Sequence, residues 1–141
     1  MVRKATTQDI SAIGALMASL WPHHSAGEMA EEAANILENP DAAIFLTEED
    51  LGFAQVGLRY DYVEGTESSP VGYLEGIYVA ENCRGRGYAR ELLAACEIWA
   101  KEKGCREFAS DCELDNTQSL NFHLKLGFSE ANRIICFTKN L

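Results

Sequence analysis

The chain has 141 residues, with 12 Lys and Arg against 22 Asp and Glu, giving a formal charge of −10. That length fits one domain spanning 1–141, able to bury roughly two thirds of its extended-chain surface without metal or disulfide support. So acidic a balance argues against nucleic acid, whose phosphates demand a basic surface, and no apolar run approaches the roughly 20 residues that span a bilayer.

A strand is expected near Val2 to Ala5, and Asp9 interrupts before any export-signal hydrophobic region develops. The expected location is therefore the cytoplasm. Thr7 can cap a helix whose apolar positions Ile10, Ile13, Met17, Leu20 and Trp21 recur at helical spacing, with Pro22 ending it. Ser25 followed by Glu28 is a capping-box signature for a second helix through Met29, Ala33, Ile36 and Leu37, stopped by Asn39-Pro40. Ala43 to Thr47 and Phe53 to Val63 read as strands, joined through Glu48-Glu49-Asp50 and Gly52. Gly65 to Pro70 is turn-rich, and a central strand follows from Val71 to Val79.

Beyond it, a helix from about Gly87 to Lys103 buries Ala89, Leu92, Leu93, Cys96 and Ala100, and Gly104 is placed to cap it in the left-handed conformation. Arg106 to Asp111 reads as a strand, Thr117 to Leu126 as a helix ended by Gly127, and Arg133 to Lys139 as a last strand. The order βααβββαβαβ implies an α+β or α/β sandwich around one central sheet. Five cysteines, Cys83, Cys96, Cys105, Cys112 and Cys136, form an odd set without CxxC spacing. Neither a disulfide framework nor a metal site is expected, and a nucleophile made by pairing one of them with His123 is a rival that nothing in the spacing favours.

Between the central strand and the long helix lies Arg84-Gly85-Arg86-Gly87-Tyr88-Ala89. A glycine-rich turn that opens a helix leaves successive N–H groups unpaired and convergent, which suits a pyrophosphate. The glycines admit close approach of the backbone, and the arginines add positive charge.

Arg84, Gly87 and Ala89 match the pattern Arg/Gln-x-x-Gly-x-Gly/Ala, and this loop resembles the coenzyme A loop of the GCN5-related N-acetyltransferases. Asn116, His123 and Gly127-Phe128 resemble the final helix and turn of that superfamily. Two narrower stretches, Asp61 to Val71 and Leu74-Glu75-Gly76-Ile77, resemble the aminoglycoside 6'-N-acetyltransferases, as do Leu20-Trp21-Pro22 and Glu107 to Asp111. The resemblance implies a central mixed, mostly antiparallel sheet with about four flanking helices, acetyl-CoA as cosubstrate, an aminoglycoside acceptor and a homodimer. An edge strand at Arg133 to Lys139 would suit pairing with a second copy.

Glu75 falls in mid-strand among Tyr73, Leu74, Ile77 and Val79, where an unpartnered buried carboxylate costs several kcal/mol. One account is an ion pair with Arg59 or Arg106; the other is a carboxylate at the splayed centre of the sheet, facing the acceptor amine. Asp111, a turn former or cap by its position alone, is by resemblance a ligand of aminoglycoside ammonium groups. Trp21 and Tyr62 would line the sugar site, and Asn132 stands where relatives carry an acidic substrate anchor, a duty that Glu130 could supply instead.

Asn116 is placed to cap a helix, and by resemblance it also contacts the cofactor arm. The backbone of Ile77, Tyr78 and Val79 would pair with pantetheine, and Gly85, Arg86, Gly87, Tyr88, Ala89 and Arg90, with Arg84, would hold the pyrophosphate. His123 occupies the position of the tyrosine that serves as acid in many members, and a histidine can donate a proton. Glu75 and Asp111 would orient and deprotonate the amine. Transfer to another small amine or a protein N-terminus, and a non-catalytic acetyl-CoA sensor, are the alternatives.

Overall fold

The computed structural model describes residues 1–141. One five-stranded sheet runs β1 (Val2–Lys4), β2 (Ala42–Thr47), β3 (Gly52–Arg59), β4 (Val71–Val79) and β5 (Phe108–Ser110) in that spatial order. The first three pairings are antiparallel and β4 to β5 is parallel. Helices α1 (Ile10–Leu20) and α2 (Ala26–Glu38) follow β1, α3 (Tyr88–Glu102) connects β4 to β5, and α4 (Thr117–Lys125) follows β5. This is the mixed, mostly antiparallel sheet with four helices that the resemblance implied.

Local chemistry explains most element boundaries. Glu28 N–H donates to Ser25 Oγ at 3.1 Å, and the Ser25 N–H returns a bond to Glu28 Oε1 at 3.4 Å, so the capping box opens α2. At α1 the cap differs from the expected Thr7: a single 3₁₀ turn spans Thr7–Asp9, and Thr6 N–H donates to Asp9 Oδ2 at 2.8 Å. A bidentate contact from Arg3 fixes that aspartate and holds its pKa far below the usual carboxylate range. Gly104 has φ +92 and ends α3 in the left-handed conformation.

Apolar side chains pack on both faces of the sheet. On one face Leu92, Leu93, Cys96, Trp99 and Ala100 of α3 meet Ala54, Val56, Leu74 and Val79. Cys96 is fully enclosed there, and burial pushes its thiol pKa up to about 12. On the other, Ile13, Met17, Ala33 and Ile36 of α1 and α2 cover Ile44, Leu46 and Phe53.

Three expected strands change. Two are shorter: β3 stops at Arg59, leaving 60–70 as a loop, and β5 begins at Phe108 and ends at Ser110. The strand expected at Arg133 to Lys139 is not formed, and no regular element follows α4. A strand exists only where a neighbouring backbone completes its hydrogen bonds, and no strand of this chain pairs with 133–139. Ile134, Ile135 and Phe137 are accordingly exposed.

Candidate functional site

The site begins at an irregularity in β4. Val56 pairs with Leu74 and Gln55 with Gly76, so Glu75 is an extra residue, a bulge. Backbone groups of a strand alternate sides, and the bulge reverses their phase. Before it, Gly72 N–H donates to Glu107 O, and the Leu74 carbonyl lies 3.4 Å from Ser110 Oγ, both toward β5. After it, Ala80 N–H donates to Leu51 O toward β3, so the groups of Ile77 and Val79 face the opposite side. No strand stands there, because the β4–β5 ladder ends at Leu74 and Ser110. The wedge thus exposes the polar edge of Ile77 to Val79, as an extended ligand arm requires.

At the wide end of the wedge, Gly85 (φ +82) and Gly87 (φ +87) shape the turn into α3. None of the N–H groups from Gly85 to Arg90 donates within the chain. This row of free donors at a helix N-terminus is an anion site of the expected kind. Arg84 turns inward: its Nε donates to the Val79 carbonyl at 2.9 Å, and its guanidinium lies 5.6 Å from the Tyr78 ring centroid. Arg86 and Arg90 remain exposed.

The two candidate carboxylates adjoin. Tyr73 pairs with Ala109 and Leu74 with Ser110, which sets Glu75 beside Asp111 at the point where the strands part. Arg59 Nε and Nη2 donate to Glu75 Oε2 at 3.1 Å and Oε1 at 2.8 Å. The ion pair expected for Glu75 is therefore present, with Arg59 as the partner and not Arg106. Glu75 nevertheless keeps 29% of its side chain exposed, so pairing does not seal it from solvent. The Arg59 guanidinium also lies 3.4 Å above the Tyr73 ring, and the Tyr73 hydroxyl donates to Asp111 Oδ2. Burial first, and then that bond, raise the Tyr73 pKa well above the usual phenol range.

Glu75 lines two adjoining cavities of about 390 and 330 Å³ that share Glu32 and Gln55. Trp21, His24 and Met29 border the smaller; Asp41 and Tyr60, whose hydroxyl donates to Asp41 Oδ2 at 3.1 Å, border the larger. Trp21 closes against Gly76, where an added β-carbon would lie 2.7 Å from its ring.

Tyr62 and Asn132 lie apart from both cavities. Tyr62 is 74% exposed, and its hydroxyl accepts from Gly65 N–H at 3.3 Å. Asn132 Nδ2 donates to Glu64 Oε1 at 3.1 Å, bringing the C-terminal segment onto the same loop, while Glu130 pairs with Arg133. Asn116 caps α4 by accepting Ser119 N–H at 3.0 Å.

His123 Nδ1 lies 2.7 Å from the Ser119 carbonyl, which can only accept. In the singly protonated ring the proton therefore sits on Nδ1, and Nε2 is left to accept from Ser110 Oγ at 2.8 Å. The sequence reading missed Glu32, Asp41, Gln55, Tyr60 and Tyr73. Tyr73 alone carried a signal, as the polar-tipped aromatic two residues before Glu75.

Comparison with known proteins agrees with this layout. Residues 11–128 match the model of the Acetyltransferase (GNAT) family. The chain is 44% identical over 140 residues to the aminoglycoside N(6')-acetyltransferase type 1 of Stenotrophomonas maltophilia, covering 96% of this chain and 90% of that one. Among solved structures, AAC(6')-Iy in complex with the bisubstrate analog CoA-S-monomethyl-acetylneamine superposes with TM-score 0.94 at 38% identity, covering 100% and 98% of the two chains. AAC(6')-Iy in complex with CoA gives TM-score 0.95 at 38% identity, covering 100% and 95%.

Proposed function

Because the chain belongs to the acetyltransferase (GNAT) family, we infer that it moves the acetyl group of acetyl-CoA onto the 6'-amino group of aminoglycosides. The observation that carries the residue-level reading is the wedge: it sets the cleft-facing polar groups of Ile77 and the Val79 N–H beside two carboxylates, while Arg84 occupies the Val79 carbonyl. The amides from Gly85 to Arg90 receive the pyrophosphate of the cosubstrate, with Arg86 and Arg90 adding charge. The pantetheine arm lies along Ile77 to Val79, where one N–H faces the thioester carbonyl oxygen and stabilises the negative charge that develops on it. Asn116 borders the arm at the start of α4.

Glu75 and Asp111 hold the acceptor ammonium, and directly or through water they take its proton. The freed nitrogen attacks the thioester carbon; the N–C bond forms, the C–S bond breaks, and the thiolate leaves with the bonding pair. His123 reaches the cleft only through Ser110, so departure rests on the low basicity of the thiolate. Trp21 walls the sugar site, and Tyr62 and Asn132 belong to an outer rim formed by the 60–70 loop and the C-terminal segment. Proximity of two bound substrates supplies most of the acceleration. Acetylation cancels one positive charge on the drug, weakening its hold on ribosomal RNA, and the phenotype is resistance.

The exposed Ile134, Ile135 and Phe137 support pairing of the C-terminal segment with a second copy; sedimentation of the purified protein as a monomer would refute this. The acceptor is tested by CoA release with kanamycin or tobramycin beside a 6'-hydroxyl analogue. Turnover is expected with the amines alone, and equal turnover with both would refute 6'-amine transfer. Glu75→Gln is expected to slow release without abolishing it, and full activity would remove Glu75 from the mechanism.

A further inference from the structure

Both candidate carboxylates sit where regular structure lapses. Glu75 is the bulged residue of β4, outside the register of the ladder, and Asp111 lies one residue beyond β5 in an exposed segment. Neither strand geometry nor packing alone fixes their side chains. One side chain touches the supports of both. Tyr73 is 94% buried, with its hydroxyl donating to Asp111 Oδ2 and its ring face carrying Arg59, whose two nitrogens grip Glu75.

We propose that Tyr73 is a positioning residue for the acceptor site, holding Asp111 through its hydroxyl and Glu75 through the stacked Arg59. The proposal rests on the reading that these two carboxylates receive the acceptor amine. Arg59 carries a permanent charge in a planar fork, which fixes a carboxylate's orientation as well as its position. A single carboxylate offers about four lone-pair sites, so the fork on Glu75 leaves others for an incoming ammonium. Burial keeps the phenol protonated and hence a donor to Asp111. The result is a continuous chain, Glu75–Arg59–Tyr73–Asp111, in which Arg59 and Tyr73 set the spacing of the two acceptor-binding groups without themselves touching the reacting atoms.

Tyr73→Phe is the test, because it retains the ring, the packing and the Arg59 stack while deleting the hydroxyl. The expected result is a roughly tenfold fall in kcat for aminoglycoside acetylation, with an unchanged KM for acetyl-CoA and no further fall when Tyr73→Phe is added to Asp111→Ala. A merely structural role would instead act equally in both backgrounds. Glu75→Gln and Asp111→Ala alone report on the underlying reading: if both keep wild-type turnover, that reading fails. If both are slowed while Tyr73→Phe is fully active, or lowers kcat equally with and without Asp111, the positioning role alone is overturned.

Discussion

Gly87 is where backbone strain and cofactor binding meet. Its φ of +87 and ψ of 3 lie in the left-handed region, and a β-carbon added there meets nothing within 4 Å. The cost of Gly87→Ala is therefore conformational only, roughly 1–2 kcal/mol for an L-residue held in that region. The loop from Gly85 to Gly87 is exposed, and its N–H groups donate to nothing that would resist rearrangement. Strain placed there is released by turning the peptide to negative φ, which breaks the convergence of the donors. The protein then stays folded and binds CoA more weakly, by about 5- to 30-fold at 1.4 kcal/mol per decade. Isothermal titration with CoA and a thermal melt measure the two quantities separately. Gly104→Ala is the control, since Gly104 has a similar φ of +92 at the other end of α3; it should lower Tm and leave CoA affinity unchanged. Wild-type CoA affinity in Gly87→Ala would refute the reasoning, whether or not Tm falls.

Two further outcomes are expected. A β-carbon on Gly14 would lie 2.7 Å from Ala26 O and 2.9 Å from Ala30 N, both backbone atoms, so Gly14→Ala must push α1 from α2; overpacking of about 1–3 kcal/mol should lower Tm in a thermal melt by several degrees. Glu107 Oε1 accepts the N–H groups of Glu67 and Ser68, each at 2.9 Å, and the Ser68 hydroxyl, and these bonds lower its pKa. A lowered folded-state pKa stabilises the fold above the ordinary glutamate value, and that contribution disappears as pH falls through the lowered one. The anchorage of the 60–70 loop should loosen on acidification, read as faster amide exchange there, and Glu107→Gln should remove that acid dependence.

The sequence was most legible where a local rule acts alone. Ser25 and Glu28 announced the start of α2, Gly104 the end of α3, and the helical spacing of Leu92, Leu93 and Cys96 the buried stripe. The glycine turn after a strand announced the anion site, because its donors are backbone and depend little on neighbours. What depended on tertiary pairing was harder to read. Arg59 was one of two arginines offered to Glu75, and only the β3–β4 register selects it. Nothing in Leu74-Glu75-Gly76 marks a bulge, and nothing near Asp111 points to a tyrosine 38 residues earlier. Arg133 to Lys139 has the apolar composition of a strand, but composition cannot supply the missing neighbour.

The extra residue in β4 also separates two kinds of mutation that would otherwise look alike. Substituting Glu75 changes a charge and leaves the strand's count intact. Deleting it leaves Leu74 and Gly76 as consecutive residues opposite Val56 and Gln55, so the ladder becomes even while every backbone group from Gly76 onward keeps the side it faces now. Ile77 and Val79 would still turn their polar groups toward the cleft, and what disappears with the carboxylate is the bend and extra twist that a bulge imposes on its strand. A one-residue deletion here is thus a change of strand curvature as well as of charge, and chain length as much as chemistry is under constraint between Val71 and Val79.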